Sequence, residues 1–345
     1  MTTPTLIVKT PIGSDPKVPV AVSVCMPVYN GTHFLPRAFE SLAAQTFQNF
    51  ELIIVDDGST DGSADAARAL FSRHHLHGTI IRTKNCGPEH ARDVARDGAR
   101  GQYIAHLDCD DSWDPSYLTT MTELLQRHPD LDLVYCDFTQ VAPDGSTTLK
   151  SKISPWINLT LATRDGNLYT FSRGQFFKLL LGGQVLFPSC TMYTKALATR
   201  TGPYTPDLAD VRTSLDWYFG LRASRTGAIA FLNRSLVRRY LHDNNVSGDL
   251  LKTTGSNVRV INQILSDQTL TPGERRVARA RGAMISTWAA DISLRVNQNH
   301  LTAIQWSLRS IRYRPNRRAA WLLLLSFVPR ALVAIVRRAQ RAVRH

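Results

Sequence analysis

Residues 101 to 115 read GQYIAHLDCDDSWDP, and three aspartates in it, Asp108, Asp110 and Asp111, close an apolar run. Tyr103 to Leu107 is short and apolar enough to be a buried strand. Carboxylates gathered at the end of a buried strand repel one another and are costly to remove from water. A divalent cation relieves both problems. Mg²⁺ or Mn²⁺ is commonly held by one or two carboxylates, with substrate phosphates completing the shell. In open α/β sheets, ligands settle outside the carboxyl ends of the strands. An isolated Asp-x-Asp is more often a solvated acidic turn, here with Asp114 capping a helix that Pro115 opens. The neighbouring loops decide between the two.

Two further loops carry usable chemistry. Met26 to Asn30 (MPVYN) and Val55 to Asp61 (VDDGSTD) follow the first two predicted strands, Val20 to Met26 and Glu51 to Val55. Each alone is ordinary turn chemistry. With the acidic stretch they place three loops on one edge of a parallel sheet. A crevice there, with Tyr29 as an aromatic face and Asp57 as an acceptor, suits a nucleobase or a ribose hydroxyl.

The elements that position these loops alternate. After the first strand, Thr32 is placed to cap a helix bearing Leu35, Phe39, Leu42 and Ala43 at helical spacing. Helices are expected over Ser63 to Arg73 and Pro88 to Ala99, with strands over Thr79 to Arg82 and Leu131 to Phe138. That alternation predicts an α/β fold with a parallel sheet covered on both faces. Farther on, Phe171 to Leu181 and Ser214 to Ser224 read as helices. Thr191 to Thr194, Ala228 to Leu232 and Leu236 to Leu241 read as strands, and beyond Asn245 the pattern is mostly helical. The His-rich Arg73 to His77 lies at a helix end before Gly78 and reads as a solvated cap.

In these residues the chain resembles the family 2 glycosyltransferases of GT-A fold. The resemblance rests on Pro27 to Asn30, Gln45-Thr46, Asp56 to Asp61, Asn85 to Gly87, Ala91 to Asp93 and Leu107 to Asp111, in order over about Val20 to Pro115. It implies a mixed, mostly parallel sheet flanked by helices, and a nucleotide-diphospho-sugar as donor. Pro27, Tyr29 and Asp57 would line the base and ribose pocket, and Arg92 would lie near the ribose or diphosphate. Asp108 and Asp110 would meet the diphosphate through Mn²⁺ or Mg²⁺. Asp93 stands where the family often has Asn. In the second half, Leu215 to Arg222 resembles the segment that supplies the general base, with Leu215 in place of a Glu and Asp216 as the candidate. An ordinary alternative for Asp216 is a first-turn acid favoured by the helix dipole. Arg239 to His242, followed by Asn245 to Ser247, resembles the Tyr-Arg-x-His and Ser ending, which makes His242 a candidate metal ligand. The Q-x-x-R-W motif of processive synthases is absent, which points to single additions.

Composition sets the bounds. The chain has 345 residues, 43% of them hydrophobic and 20% charged, the proportions of a globular protein. A net charge of +13 suggests an anionic partner. Five scattered cysteines without a C-x-x-C pair read as reduced core thiols of a cytosolic protein. The expected organisation is a flexible leader over 1–19 and a GT-A domain over 20–248, with a nucleotide half (20–115) and an acceptor half (116–248). A helical extension follows over 249–345. From Ile311 onward there are nine arginines and no acids. Arg330, Arg337, Arg341 and Arg344 fall on one helical face, the pattern of a basic amphipathic helix resting on an anionic membrane, the alternative being a helix packed on the domain with its arginines solvated. The expected setting is the cytoplasmic face of the membrane, with a glycan or lipid-linked acceptor and no nucleic acid. Three rivals remain at this point: a nucleotidyltransferase acting on sugar phosphates, a non-catalytic basic scaffold for membrane or nucleic acid, and a degenerate transferase with imperfect second-half motifs. The first needs a glycine-rich basic loop that Pro27 to Thr32 lacks.

Overall fold

The computed structural model describes residues 8–12, 19–149, 159–172, 174–183, 186–205, 211, 213–242 and 250–328. The chain divides into two compact units, Met1–Asn245 and Val246–His345. Within the stretch expected to be a loose leader, β1 (Val8–Ile12) is an ordered edge strand. It pairs antiparallel with a later strand over Gly78 to Arg82, so backbone hydrogen bonding outweighs its polar sequence.

The first unit then runs β2 (Val22–Val28), α1 (Leu35–Ala43), β3 (Phe50–Asp56), α2 (Ser63–Arg73), β4 (Gly78–Arg82), α3 (Pro88–Asp97) and β5 (Tyr103–His106). It continues with β6 (Asp111–Trp113), α4 (Tyr117–Arg127), β7 (Leu133–Val141), β8 (Thr147–Leu149), β9 (Thr163–Asp165), β10 (Leu168–Phe171) and α5 (Gln175–Gly182). It ends in β11 (Thr191–Thr194), α6 (Lys195–Thr201), α7 (Leu215–Thr226) and β12 (Ile229–Tyr240). The strands form one mixed sheet in the order β1-β4-β3-β2-β5-β11-β7-β12-β10-β9, with β6 on β12 and β8 on β7. Parallel pairing joins β4-β3-β2-β5 and, separately, β7-β12. β11 is antiparallel to both its neighbours and joins these two parallel blocks.

Burial explains the parallel block. Every residue of β2 is buried, as a strand covered on both faces requires. Leu35, Phe39 and Leu42 of α1 and Phe71 of α2 pack with Val24, Met26, Leu52 and Ile54 in the main core. Gly101 lets β5 enter close beside β2, since a Cβ there would stand 2.6 Å from the Ser23 amide nitrogen. Below it, the Ser23 hydroxyl and the Arg100 guanidinium both donate to Glu51, at 2.6 and 2.9 Å, so this buried acid is satisfied.

Several elements differ from the sequence reading. Residues 171 to 181 are not one helix. β10 ends at Phe171 and α5 starts after Gly174, whose φ of 80° breaks the chain direction. The two strands expected between Ala228 and Leu241 are one, β12, with register shifts between Leu232 and Val237. Thr32 does not cap α1, which starts after Phe34; its hydroxyl donates instead to the Asp61 carbonyl at 3.1 Å. Cys25, Cys136 and Cys190 are buried thiols, but Cys86 is exposed.

The second unit comprises α8 (Leu250–Ser266), α9 (Pro272–Arg295), α10 (His300–Tyr313) and α11 (Arg317–Leu325). A capping box between Thr271 and Glu274 starts α9, and Asn316 caps α11. Ala290, Leu294, Ala303, Leu322 and Leu325 form its core. No helix among the described residues is long and apolar enough to cross a membrane. The basic face from Arg330 to Arg344 lies outside the described residues.

Candidate active site

After β5 the chain turns through Asp108, Cys109 and Asp110 and re-enters the sheet as β6. The Asp111 amide donates to the Asp108 carbonyl at 3.0 Å and closes the turn. One carboxylate oxygen from each of Asp108, Asp110 and Asp111 lies within 4.8 Å of the others. A short 3-10 turn, Pro188–Cys190, underpins them. The Ser189 hydroxyl donates to Asp111 at 2.6 Å and accepts from the Asp108 amide at 3.1 Å. The Ser189 carbonyl takes the Trp113 indole N–H at 2.8 Å.

Two side chains from elsewhere in the chain reach the carboxylates of this turn. Arg92 of α3 donates to Asp108 at 2.5 Å, and His242, just past β12, is 3.0 Å from Asp110 through Nε2. The His242 ring stacks on Phe34 with centroids 4.5 Å apart. Arg37 of α1 donates to the Asp110 carbonyl at 2.7 Å and lies 3.5 Å over the Tyr240 ring, tying the turn to the end of β12. Burial, then the Asp108 charge, raises Asp110 above the usual carboxylate range, with His242 drawing it part of the way back. Burial followed by Asp110 and Asp108 pushes Asp111 well up. Crowded carboxylates of this kind are what a bound divalent cation relieves. Carboxylate oxygens with one imidazole suit Mn²⁺ well and Mg²⁺ acceptably.

The loops after β2 and β3 lie at the carboxyl ends of neighbouring parallel strands and are laced together. Asn30, in the left-handed region at φ 48°, donates its amide to the Ser59 hydroxyl and accepts the Thr60 amide, both at 2.9 Å. The Gly31 amide donates to the Ser63 hydroxyl at 2.9 Å. Pro27 is buried at the end of β2, while the Tyr29 ring is 54% exposed and open to stack. Asp57 is buried, and its carboxylate accepts from the amides of Cys86 at 2.9 Å and Gly87 at 2.8 Å and from the Thr83 hydroxyl at 3.3 Å. A carboxylate offers about four acceptor positions, and these three donors fill most of them.

Asp216 occupies the first turn of α7, which Ser214 starts from a left-handed φ of 69°. One of its oxygens accepts the Trp217 amide at 2.7 Å. Burial, then Asp108, raises its pKa, against the pull of Arg92 and Arg239. It lines a small cavity with Phe187, Tyr204, Phe219 and Gly220. The segment leading toward α7 is anchored by Asp93, whose carboxylate accepts the Tyr204 amide at 2.7 Å, the Thr205 amide at 3.0 Å and the Thr205 hydroxyl at 2.6 Å. Arg96 donates to the Gly202 carbonyl at 2.8 Å and Arg222 to the Thr201 carbonyl at 2.8 Å.

The structure thus brings His242 to the turn that carries Asp108 and Asp110 and sets Asp216 in the field of Asp108 and Arg92. Sequence reasoning names Asp111 among the clustered acids without assigning it a role, and it misses Ser189, Arg37 and Glu89. Asp111 completes the carboxylate group, and Ser189 and Arg37 hold it from remote parts of the chain. Glu89 shares the buried face of α3 with Arg92. Burial lifts its pKa to about 7, with Asp216 and Asp108 adding to the rise against the pull of Arg92. Its one sequence signal is the three-residue spacing to Arg92 on a helix.

Comparison with known proteins agrees with this geometry. The profile of the family described as "Glycosyl transferase family 2" matches residues 23–200. "Putative glycosyltransferase EpsH" of Bacillus subtilis (strain 168) is 35% identical over 134 residues, covering 39% of this chain and 38% of that protein. The chain therefore spans well under half the length of this relative. Among solved structures, TarS 1-349 of S. aureus superposes with a TM-score of 0.65 at 19% identity, over 92% of each chain. The mannosyltransferase PcManGT of Pyrobaculum calidifontis, in complex with GDP-Man and Mn²⁺, superposes with a TM-score of 0.56 at 17% identity. That match covers 91% of this chain and 81% of PcManGT. At these identities the structural likeness establishes the GT-A fold.

Proposed function

The chain belongs to glycosyl transferase family 2, and from that premise we propose that it is a metal-dependent, inverting enzyme. It moves a sugar from a nucleotide-diphospho-sugar to an acceptor hydroxyl. The observation that carries this reading is the acid turn: three carboxylates within 4.8 Å at the end of a parallel strand, flanked by Arg92 and His242.

In this reading Asp108, Asp110 and His242 would hold Mn²⁺ or Mg²⁺, which would supply positive charge against a departing nucleoside diphosphate. Tyr29, Pro27 and Asp57 form the base and ribose pocket, and Arg92 fixes Asp108 beside the diphosphate. Asp216 takes the acceptor proton as the hydroxyl attacks the anomeric carbon from the face away from the leaving group. A single displacement of that kind inverts the centre, as in inverting hydrolases. The upward shift of Asp216 suits it to the task, because a carboxylate with a higher pKa is the stronger base once ionised. The rate should therefore rise with pH through the raised pKa of Asp216. The acceptor is a glycan or lipid-linked glycan of a surface polysaccharide, served at the cytoplasmic face of a membrane. Supporting that setting is the net charge of +13, with basic residues concentrated toward the C-terminus.

Calorimetry with UDP-, GDP- and dTDP-sugars tests the reading without knowledge of the acceptor. Donor binding that requires Mn²⁺ or Mg²⁺, is abolished by EDTA and is accompanied by slow donor hydrolysis is expected. Absence of heat with every donor, and of competition from free UDP or GDP, would overturn it.

A further inference from the structure

Arg239 stands directly opposite Asp111 across the β12–β6 ladder. Residues so paired put their side chains on the same face of the sheet, close enough for an ion pair. None forms. Asp111 turns to the Ser189 hydroxyl at 2.6 Å. The Arg239 guanidinium lies over two phenyl rings instead, 4.4 Å from the centroid of Phe187 and 5.2 Å from that of Phe138. Those rings meet edge to face at 5.1 Å and make a rigid shelf. Among the described residues, no side chain accepts a hydrogen bond from Arg239 and no acid pairs with it. Cation–π contact engages the face of a guanidinium and does not use its N–H donors.

The position of those donors matters. The Arg239 charge acts on both Asp111 and Asp216. Phe187, on which it rests, also walls the cavity that Asp216 lines. A ligand group that meets the base therefore comes within the field of this arginine. In the reading above, a cation on the acid turn would take up the negative charge around Asp111 and weaken its hold on the guanidinium. A half-buried guanidinium that rests on aromatic rings and has no hydrogen-bond partner among the described residues suits bidentate capture of an oxyanion.

We propose that Arg239 is a substrate-binding residue that receives an anionic oxygen group, a carboxylate or phosphate, carried by the transferred sugar or by the acceptor. This rests on the glycosyltransferase reading and adds to it a preference for acidic sugar substrates. It assigns Arg239 to the sugar end of the site rather than to the diphosphate.

Matched donor pairs separate these cases. Calorimetry with Mn²⁺ would compare UDP-glucuronate with UDP-glucose, and GDP-mannuronate with GDP-mannose, with free UDP and GDP as references. If the anion is on the donor, the acidic member of one pair binds at least ~10-fold more tightly. Arg239→Gln then erases that preference while free nucleotide binding stays within ~2-fold, and Arg239→Lys keeps part of it. If the anion is on the acceptor, the donor pairs bind alike. Free glucuronate or inorganic phosphate then binds the nucleotide-loaded wild type and not Arg239→Gln. Equal binding within both pairs, together with no Arg239-dependent binding of glucuronate or phosphate, overturns the proposal. So does a loss of free UDP or GDP binding in an Arg239→Gln protein that melts like the wild type, since that would place Arg239 on the diphosphate. Failure of the wild type to bind any free nucleotide is a different result and removes the glycosyltransferase reading as well.

Discussion

The acid turn and the turn that bears Asp216 solve different problems with different construction. Around Asp108, Asp110 and Asp111 the turn is braced from several parts of the chain: an amide closes it, Ser189 props it, Arg37 grips its carbonyl, and Arg92 and His242 face its acids. Asp216 accepts the amide of the next residue on its own helix, and the elements before that helix are held in turn. Its helix starts from a strained left-handed residue, and the segment before it is pinned through Asp93, Arg96 and Arg222. Charge stabilisation works only when the charges are placed before the substrate arrives. A base that must admit a bulky acceptor tolerates, and benefits from, a looser mounting. The difference predicts that the two turns fail differently when altered.

The largest effect should come from the rigid side. Asp110→Ala removes a carboxylate from the acid turn and leaves His242 without that partner. Metal-dependent donor binding should vanish, and turnover should fall by at least ~10³-fold. Calorimetry with and without Mn²⁺, beside a donor-hydrolysis assay, reads both. A variant that bound donor normally would place the diphosphate elsewhere.

Asp216→Asn should separate the two turns most sharply. The side chain keeps its size and can still accept the Trp217 amide, so donor affinity should hold. Loss of a general base costs about 10²–10⁴ in rate. Near-normal kcat in this variant would return Asp216 to the role of a helix-dipole acid.

Asp93→Ala attacks the mounting of the base turn without touching the acids. It strips the Tyr204 amide, the Thr205 amide and the Thr205 hydroxyl of their common acceptor. A cost of about 2–3 kcal/mol is expected from hydrogen bonds to a buried charge. In urea unfolding the midpoint should drop, while donor Kd at permissive denaturant stays near wild type and kcat falls. Asp93→Asn, which keeps one acceptor oxygen, should lose less. If Asp93→Ala weakened donor binding as much as turnover, the two turns would not be separately mounted.

The same contrast governs what could be read from the chain. The acid turn is contiguous, so Asp108 and Asp110 announce themselves beside the apolar run of β5, and the loops after β2 and β3 carry local turn chemistry. Helix α2 begins and ends at the residues its pattern predicts, Ser63 and Arg73. The base turn is assembled from distant pieces. Asp93 looked like a minor departure from an expected Asn, yet it anchors a loop more than a hundred residues away. Arg239 faces Asp111 only because β12 pairs with β6, a register no local pattern encodes. β6 itself was hidden inside what read as a turn leading into a helix. β12 reads as two strands because a register shift interrupts its alternation, and period-two patterns do not survive such shifts. The basic C-terminal face is legible as a pattern, and it lies outside the described residues.

The smallest expected effect concerns Glu89, and it tests whether the base turn is as desolvated as its geometry implies. Glu89 is 6% exposed on α3, and its pKa is lifted from 4.5 to about 7, first by burial and then by Asp216 and Asp108. A carboxyl raised on folding binds more protons in the folded state than in the unfolded one. Its contribution to stability is therefore complete below about 4.5 and lost as pH rises through 7. Glu89→Gln is neutral throughout and escapes that loss. In thermal or urea unfolding with EDTA, the variant should match the wild type near pH 4.5 and exceed it by about 1–2 kcal/mol at pH 8. The gap should open between those pH values and then level off. A difference independent of pH would mean that Glu89 ionises as readily folded as unfolded. Water would then already reach the face of α3 beneath Asp216, and the rise in the Asp216 pKa would lose its first cause.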